Sequence, residues 1–285
     1  MRLLSPAKIN LFLYVTGKRA DGYHTVRTLM CGIGLNDEIT LSFGKGETTC
    51  DCNHPDVPSG TANIAQRAAE LFLTITGKKD DSRHESVAIS IKKRIPVGAG
   101  LGGGSSNAAS VLLGLNRHYG YPLSKETLLS IGASLGADVS FFIYGGPALA
   151  GGIGDILEPA PDIPPFRVVI VYPGVVVSTE SVYKNLNLGL TNHEKENKKI
   201  LFNENTFDPV ASLHNDLEAA AMMLCPDIGS AREALKAAGA EGVLMSGSGS
   251  SVFGIFFDDI RAAAAERSLT RWNSAWQVFL TDVMV

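Results

Sequence analysis

The sequence predicts an α+β fold in two layers, divided into two domains near residue 159. Three observations carry that expectation. Strand-like and helix-like segments are interleaved without the strict strand–helix–strand rhythm of a doubly wound sheet. Apolar residues (AVILMFWYC) make up 45% of the 285 residues and charged ones 19%, too apolar a balance for a disordered chain and enough length to bury a sizeable core. Pro159, Pro161, Pro164 and Pro165 interrupt the pattern sharply, which places the boundary between segments 1–158 and 159–285.

PAKINLFLYV (6–15) reads as the first strand. Side chains alternate between the faces of a strand, so Ile9, Leu11, Leu13 and Val15 form a core face. Lys8 and Asn10 lie opposite, beside Phe12 and Tyr14, and need polar partners or water. Asp21-Gly22 marks a turn, followed by strands over Thr25–Ile33 and Glu38–Phe43. NIAQRAAELFL (63–73) has helical periodicity, with Ile64, Ala68, Leu71 and Phe72 as its apolar stripe. VAISIK (87–92) alternates as a strand. Helices are expected over Ser106–Leu115 and Lys125–Leu135, and a buried strand over Val139–Tyr144.

In the second segment FRVVIVYP (166–173) is a strand and Thr179–Leu186 a short helix. HEKENKK (193–199) is a charge-dense surface stretch. Asn215–Leu224 and Ser230–Ala238 are expected helices. VLMSGSGSSVFGIFF (243–257) reads as strand, tight glycine turn, strand. Asp259–Trp272 is a helix, and WQVFLTDVMV (276–285) a closing strand.

The charge balance is 25 Lys+Arg against 29 Asp+Glu, a net charge of −4. Without a basic excess no nucleic-acid partner is expected. The apolar N-terminal stretch is broken by Lys8 and Asn10, unlike a signal peptide, and the long uncharged runs are too rich in Gly, Ser or Pro for membrane spans. Four cysteines in a chain of this length suggest reduced thiols in a cytoplasm. Cys50-Asp51-Cys52-Asn53-His54 lacks the paired spacing of a structural zinc site.

The most informative segment is PVGAGLGGGSSNAASVLLGL (96–115). A strand runs into a glycine-rich loop, and a helix follows with Ser105, Ser106 or Asn107 as candidate N-cap. Glycines let backbone approach a ligand, the first-turn N–H groups of a helix lack intrahelical partners, and the dipole favours negative charge. The Ser105 and Ser106 hydroxyls are suited to donate to phosphate or ligate a metal. A Walker loop needs a lysine that this loop lacks. G-x-G-x-x-G is formally present at Gly98, Gly100 and Gly103, but Glu126, at the spacing of a ribose-binding carboxylate, falls at a helix start. A protein-kinase glycine string is not accompanied by H-R-D or D-F-G. A turn that serves only the fold remains the bland alternative.

Three motifs together resemble the GHMP small-molecule kinases. They are PAKINLFLYV (6–15), P-x-G-x-G-L-G-G-G-S-S-N-A-A (96–109) and MSGSGSSVFG (245–254), in the family's order and spanning the chain. The resemblance implies the two-domain GHMP kinase fold. Its N-terminal, ATP-binding domain (1–158) would be ribosomal-S5-domain-2-like and its C-terminal domain (159–285) a ferredoxin-like α/β sandwich. KRADGYHTVRTLM (18–30), GADVSFF (136–142) and NDLE (215–218) narrow the likeness to members that phosphorylate the 2-hydroxyl of 4-diphosphocytidyl-2-C-methyl-D-erythritol. That reaction uses ATP and Mg2+ in the non-mevalonate isoprenoid pathway.

The same resemblance implies the roles of particular residues. Lys8 and Asp138 match the catalytic pair. Pro96, Val97, Gly98, Ala99, Gly100, Leu101, Gly102, Gly103, Gly104, Ser105 and Ser106 match the ATP phosphate loop, with Ser106 also offered to the metal. Asn63 lies in the segment resembling the adenine-side helix. Asn10, Tyr23 and His24 match substrate-side positions, and Tyr183 an aromatic that stacks cytosine. Ala99 stands where many relatives have Gly, and Ser140 where many have Pro.

The chemistry is consistent with these roles. Phosphoryl transfer to an alcohol needs an anion cradle, charge neutralisation and help for the hydroxyl proton. Asp138, framed by Gly136 and Ala137 before an apolar run, would be costly as a carboxylate unless paired. Lys8 is the natural partner, keeping it ionised and close by. A neutral His24 offers one ring nitrogen that accepts and one that donates, as cytosine requires. The Gly247–Ser251 turn is expected to bring backbone near a ligand. A monomer or weak homodimer acting on a small molecule, with no membrane partner, completes the expectation.

Overall fold

The computed structural model describes residues 1–78, 86–186 and 207–285; the HEKENKK stretch lies outside them. In chain order the elements are β1 (Arg2–Lys18), β2 (His24–Gly44), β3 (Thr49–Cys52), α1 (Ile64–Ile75), β4 (Ser86–Lys92), α2 (Gly103–His118), α3 (Lys125–Leu135), α4 (Ala137–Tyr144), β5 (Ala148–Gly151) and β6 (Ile156–Pro159). They continue with β7 (Arg167–Tyr172), α5 (Thr179–Lys184), β8 (His214–Asn215), α6 (Glu218–Leu224), α7 (Pro226–Ala237), β9 (Gly242–Met245), β10 (Val252–Phe256), α8 (Asp259–Trp272) and β11 (Gln277–Met284). The α+β expectation holds.

Contacts gather the chain into two compact units. Unit 1 comprises Met1–Ala7, Leu35–Val97 and Gly102–Gly145, and unit 2 comprises Lys8–Gly34, Gly98–Leu101 and Gly146–Val285. This partition follows contacts and is discontinuous along the chain, because β1 and β2 each contribute one end to each unit. It therefore differs from a division of the sequence at 158/159.

In unit 1, β4 pairs antiparallel with the Glu38–Gly44 end of β2 and parallel with β3. The helices α1 to α4 complete the unit. The two strands expected over 25–33 and 38–43 are one strand. The polar Asn36-Asp37-Glu38 stretch stays extended because the buried Asp37 carboxylate accepts the backbone N–H groups of Arg94 (2.8 Å) and Ile95 (2.9 Å). The buried stripe of α1 is Ala65, Ala68, Ala69, Phe72 and Leu73, one position round from the expected one.

Two further expectations are corrected here. Val139–Tyr144 lies in α4, a helix, not a strand. A short apolar run has no periodicity that separates the two; Gly136 precedes the helix, and Gly145 ends it in the left-handed region at φ +80°. α2 starts at Gly103, not Ser106. Gly102, at φ +70°, turns the chain, and the Ser106 N–H already bonds to Gly102 O at 2.9 Å.

In unit 2, four antiparallel strands run in the order β11-β7-β10-β9. With α7 preceding β9 and α8 joining β10 to β11, that order is the ferredoxin-like arrangement. β7 is buried along Val168–Val171, so its sequence is a continuous β-branched run without alternation. The core beneath it joins Leu13, Val15 and Val26 to Val169, Val171, Ile228 and Leu235.

Candidate active site

Unit 2 carries Lys8–Val15 of the first motif and the whole of the third. Ile9, Leu11, Leu13 and Val15 are buried as the alternation requires, and Lys8 (4% exposed) and Asn10 (2%) are buried too. Burial of a cation demands partners. Lys8 Nζ donates to Asn10 Oδ1 at 2.7 Å, Asn10 Nδ2 to Thr28 Oγ1 at 2.8 Å, and Thr28 Oγ1 to Phe12 O at 2.6 Å. Asn10 thus orients the Lys8 ammonium with both ends of its amide engaged.

Gly98–Leu101 is held between β1 and the third motif. Lys8 N–H donates to Leu101 O (3.0 Å), Ser251 N–H to Ala99 O (3.1 Å) and Ser246 Oγ to Gly100 O (3.0 Å). Gly100 has φ +77°, and a Cβ there would lie 2.1 Å from Ser246 O. A Cβ at Gly247 would lie 3.0 Å from Gly100 O and 3.2 Å from Lys8 Nζ. The glycine turn at 247–251 therefore permits close backbone approach to the 98–101 loop and to Lys8.

Unit 1 carries the helix that follows the loop. Pro96 and Gly103 are buried, Val97, Gly102 and Ser105 half-buried, and Gly104 exposed. No side chain caps the α2 N-terminus, and the first-turn N–H groups of a helix have no intrahelical partners. A Cβ on Gly104 would meet only Ile64 Cγ2, at 3.9 Å. The space next to Gly104 is therefore open. Ser106 points the other way: it is fully buried and accepts from Ser5 Oγ at 2.8 Å.

Below the turn lies a polar cluster that sequence reasoning missed. Asn107 Nδ2 donates to Ser5 Oγ and to Asp37 Oδ2, both at 2.9 Å, and the Lys93 ammonium pairs with Asp37 while both side chains are 4% exposed or less. Asp37 thus ties the Lys93–Ile95 segment leading into the glycine loop to the first turns of α2. Its partners stand 56 to 70 positions away in sequence, and no local spacing announces them.

Asp138 occupies the first turn of α4, half-buried, where the helix dipole favours a carboxylate. Asn63 caps α1, accepting from Ala65 N–H at 2.9 Å and donating to Pro58 O at 2.9 Å. In unit 2, the His24 and Tyr183 rings stack with centroids 4.8 Å apart and planes 20° from parallel. Burial, helped by the Lys18 charge, holds the His24 pKa below its usual value, which favours the neutral ring. Tyr23 is 63% exposed beside the turn. The structure thus brings together Lys8, Asn10 and the 98–101 loop, and separately His24 with Tyr183. Lys8 belongs to unit 2 and Asp138 to unit 1. Among the described residues no group of three His, Cys, Asp or Glu is placed to hold a metal, and no helix is long and apolar enough to cross a membrane.

Comparison with known proteins shows the family. Residues 63–146 match the GHMP kinases N terminal domain and residues 195–275 the GHMP kinases C terminal domain. The chain is 45% identical over 281 residues to the 4-diphosphocytidyl-2-C-methyl-D-erythritol kinase of Syntrophotalea carbinolica, covering 98% of this chain and 97% of that one. It is 47% identical over 280 residues to the kinase of the same name from Geobacter sp. strain M21, covering 96% and 97%. A crystal structure of 4-(cytidine 5'-diphospho)-2C-methyl-D-erythritol kinase superposes with a TM-score of 0.78 at 34% identity over the whole of both chains. A homoserine kinase from Cytophaga hutchinsonii shares the fold at 19% identity, with a TM-score of 0.72. The chain belongs to the GHMP kinases, in the family of the 4-diphosphocytidyl-2-C-methyl-D-erythritol kinases.

Proposed function

We propose that this kinase transfers the γ-phosphoryl group of ATP to the 2-hydroxyl of 4-diphosphocytidyl-2-C-methyl-D-erythritol, giving ADP and the 2-phosphate, within the non-mevalonate isoprenoid pathway. The observation that carries phosphoryl transfer is the uncapped first turn of α2, with open space over Gly104. The acceptor rests on the full-length relatives of that name and on the stacked His24–Tyr183 pair.

In this reading Pro96–Ser106 binds the ATP phosphates through backbone N–H groups. Asp138 receives or orients the acceptor hydroxyl proton, and Lys8, aimed by Asn10, supplies the positive charge of the catalytic pair. His24 pairs with the cytosine edge, Tyr183 and Tyr23 flank the ring, and Asn63 sets the start of the adenine-side helix. Mg2+ supplies charge neutralisation when bound with the nucleotide. Phosphate oxygens would supply most of its ligands, because the Ser106 hydroxyl is fully buried and already accepts from Ser5. Asp138 and the half-buried Ser105 hydroxyl are the other oxygen donors on these two helix starts.

The division into an N-terminal domain (1–158) and a C-terminal domain (159–285) belongs to the same proposal, supported by family matches that fall on either side of it. So do a cytoplasmic location, consistent with four free thiols, and action as a monomer or weak homodimer with neither nucleic acid nor membrane as partner. The test is ADP release by the purified chain with Mg-ATP. Turnover is expected with the cytidylyl compound and not with homoserine, mevalonate or galactose. Turnover with one of those three would discard the cytosine assignments.

A further inference from the structure

The Asn215-Asp216-Leu217-Glu218 stretch carries no reacting group, yet its side chains converge on the third motif. Asn215 is 7% exposed. Its Nδ2 donates to Met245 O at 2.9 Å and to Gly247 O at 2.8 Å, while its Oδ1 accepts from Leu217 N–H at 3.0 Å. Glu218 Oε1 accepts from Met245 N–H at 3.0 Å, and its other oxygen pairs with Arg232. The stretch is also tied to β1. β8 runs parallel to it with Leu13 opposite Asn215, Asp216 N–H donates to Leu13 O at 3.0 Å, and Asp216 Oδ2 accepts from Val15 N–H at 2.7 Å.

The turn gripped in this way holds the phosphate loop through Ser246 Oγ and Gly100 O, and Gly247 stands against Lys8 Nζ. We infer that Asn215 is a positioning residue for phosphoryl transfer: by tying Met245 and Gly247 to β1, it fixes both the 98–101 loop and the wall beside the Lys8 ammonium. The physical requirement is strict, because displacement of a catalytic group by about 1 Å costs on the order of 100-fold in rate. Gly100 and Gly247 give the loop and turn no side chains with which to hold their own spacing, so the spacing depends on the brace behind them. This inference deepens the kinase reading and rests on it.

Asn215→Asp tests it. The aspartate keeps the shape and the acceptor for Leu217 N–H, loses both donations, and sets a carboxylate oxygen against two carbonyls. ATP affinity, measured by calorimetry without acceptor, is expected to weaken about 10-fold, with kcat falling and acceptor KM changing less than about 2-fold. A lowered melting temperature with unchanged ATP affinity and kcat would reduce Asn215 to a fold-stabilising residue and overturn the inference. Should Asn215→Asp not fold, Ser246→Ala interrupts the next link alone, and about 3-fold weaker ATP binding is expected. In the double variant the second change should add less than the product of the single effects; independent, multiplying effects would also overturn it. The calorimetric readout needs no acceptor, so a wrong acceptor assignment shows separately as a wild-type chain that binds ATP without turnover.

Discussion

Gly104→Ala separates the stability of α2 from its proposed use in binding phosphate. Gly104 lies in the first turn of α2, and the nearest neighbour of an added Cβ is Ile64 Cγ2 at 3.9 Å, an ordinary van der Waals contact. In the free protein the substitution has nothing to displace. Alanine is favoured over glycine in a helix by up to about 1 kcal/mol, and the gain at a helix start is placed at about 0.5 kcal/mol. That corresponds to a rise of about 1–2 °C in Tm for a chain of this size. With nucleotide the sign reverses. The methyl group occupies the space through which a phosphate would reach the backbone N–H groups. Pushing an oxygen out by about 1 Å forfeits at least one charge-assisted hydrogen bond, worth about 1.5–3 kcal/mol. The expected loss is therefore about 10- to 150-fold in ATP affinity. Urea unfolding without nucleotide reads the first effect and calorimetric titration with ATP the second. A variant that is more stable and binds ATP within about 2-fold of wild type would refute the placement of phosphate at this turn.

Gly100→Ala should fail differently. Its Cβ would lie 2.1 Å from Ser246 O at a φ of +77°, so a loss of about 2–4 kcal/mol in unfolding free energy is expected by urea titration before any nucleotide is added. Asp138→Asn is expected to lower kcat by about 100- to 10,000-fold with ATP affinity nearly unchanged; a normal kcat would remove its proton-handling role. For His24, burial and the Lys18 charge hold the pKa below 6.5. Stability owed to the neutral ring is then complete above 6.5 and is lost as pH falls through the lowered folded value. Acceptor KM should stay flat down to pH 6.5 and rise only in more acid solution, and a rise centred above 6.5 would contradict the neutral-ring contact. Burial pushes the Cys50 thiol up to about 12 and raises Cys31 further. Thiol titration of the native protein should therefore modify the half-exposed Cys52 first, leaving Cys31 and Cys50 until unfolding.

Much of the fold was readable from side-chain pattern alone. Period-two alternation placed both faces of β1 correctly, because a strand leaves no choice of face once one residue is assigned. The boundaries of α3 and α8 also follow from local signals, with Ser124 and Asp258 as caps that accept from Thr127 and Arg261 N–H. The glycine-rich motif at 96–109 pointed to an anion site, since glycine spacing and a following helix are properties of the chain itself. What failed was local ambiguity. VSFFIY and RVVIVY are equally apolar, yet one forms α4 and the other β7, and only the glycines at both ends of α4 and the β-branched run of β7 distinguish them.

Tertiary structure alone decided which polar groups are free for chemistry. Asn63, Asn10 and Ser106 are all suited by type to touch a ligand, and each also holds the fold: the first at the start of α1, the second on Lys8 and Thr28, the third on Ser5. The Asp37 cluster and the Asn215 brace join residues far apart in the chain. A buried donor or acceptor must find a partner wherever the fold provides one, and that partner has no fixed spacing along the sequence. Periodicity and turn chemistry are determined over a few residues and were legible; hydrogen-bond satisfaction in a buried site is determined by the whole fold and was not.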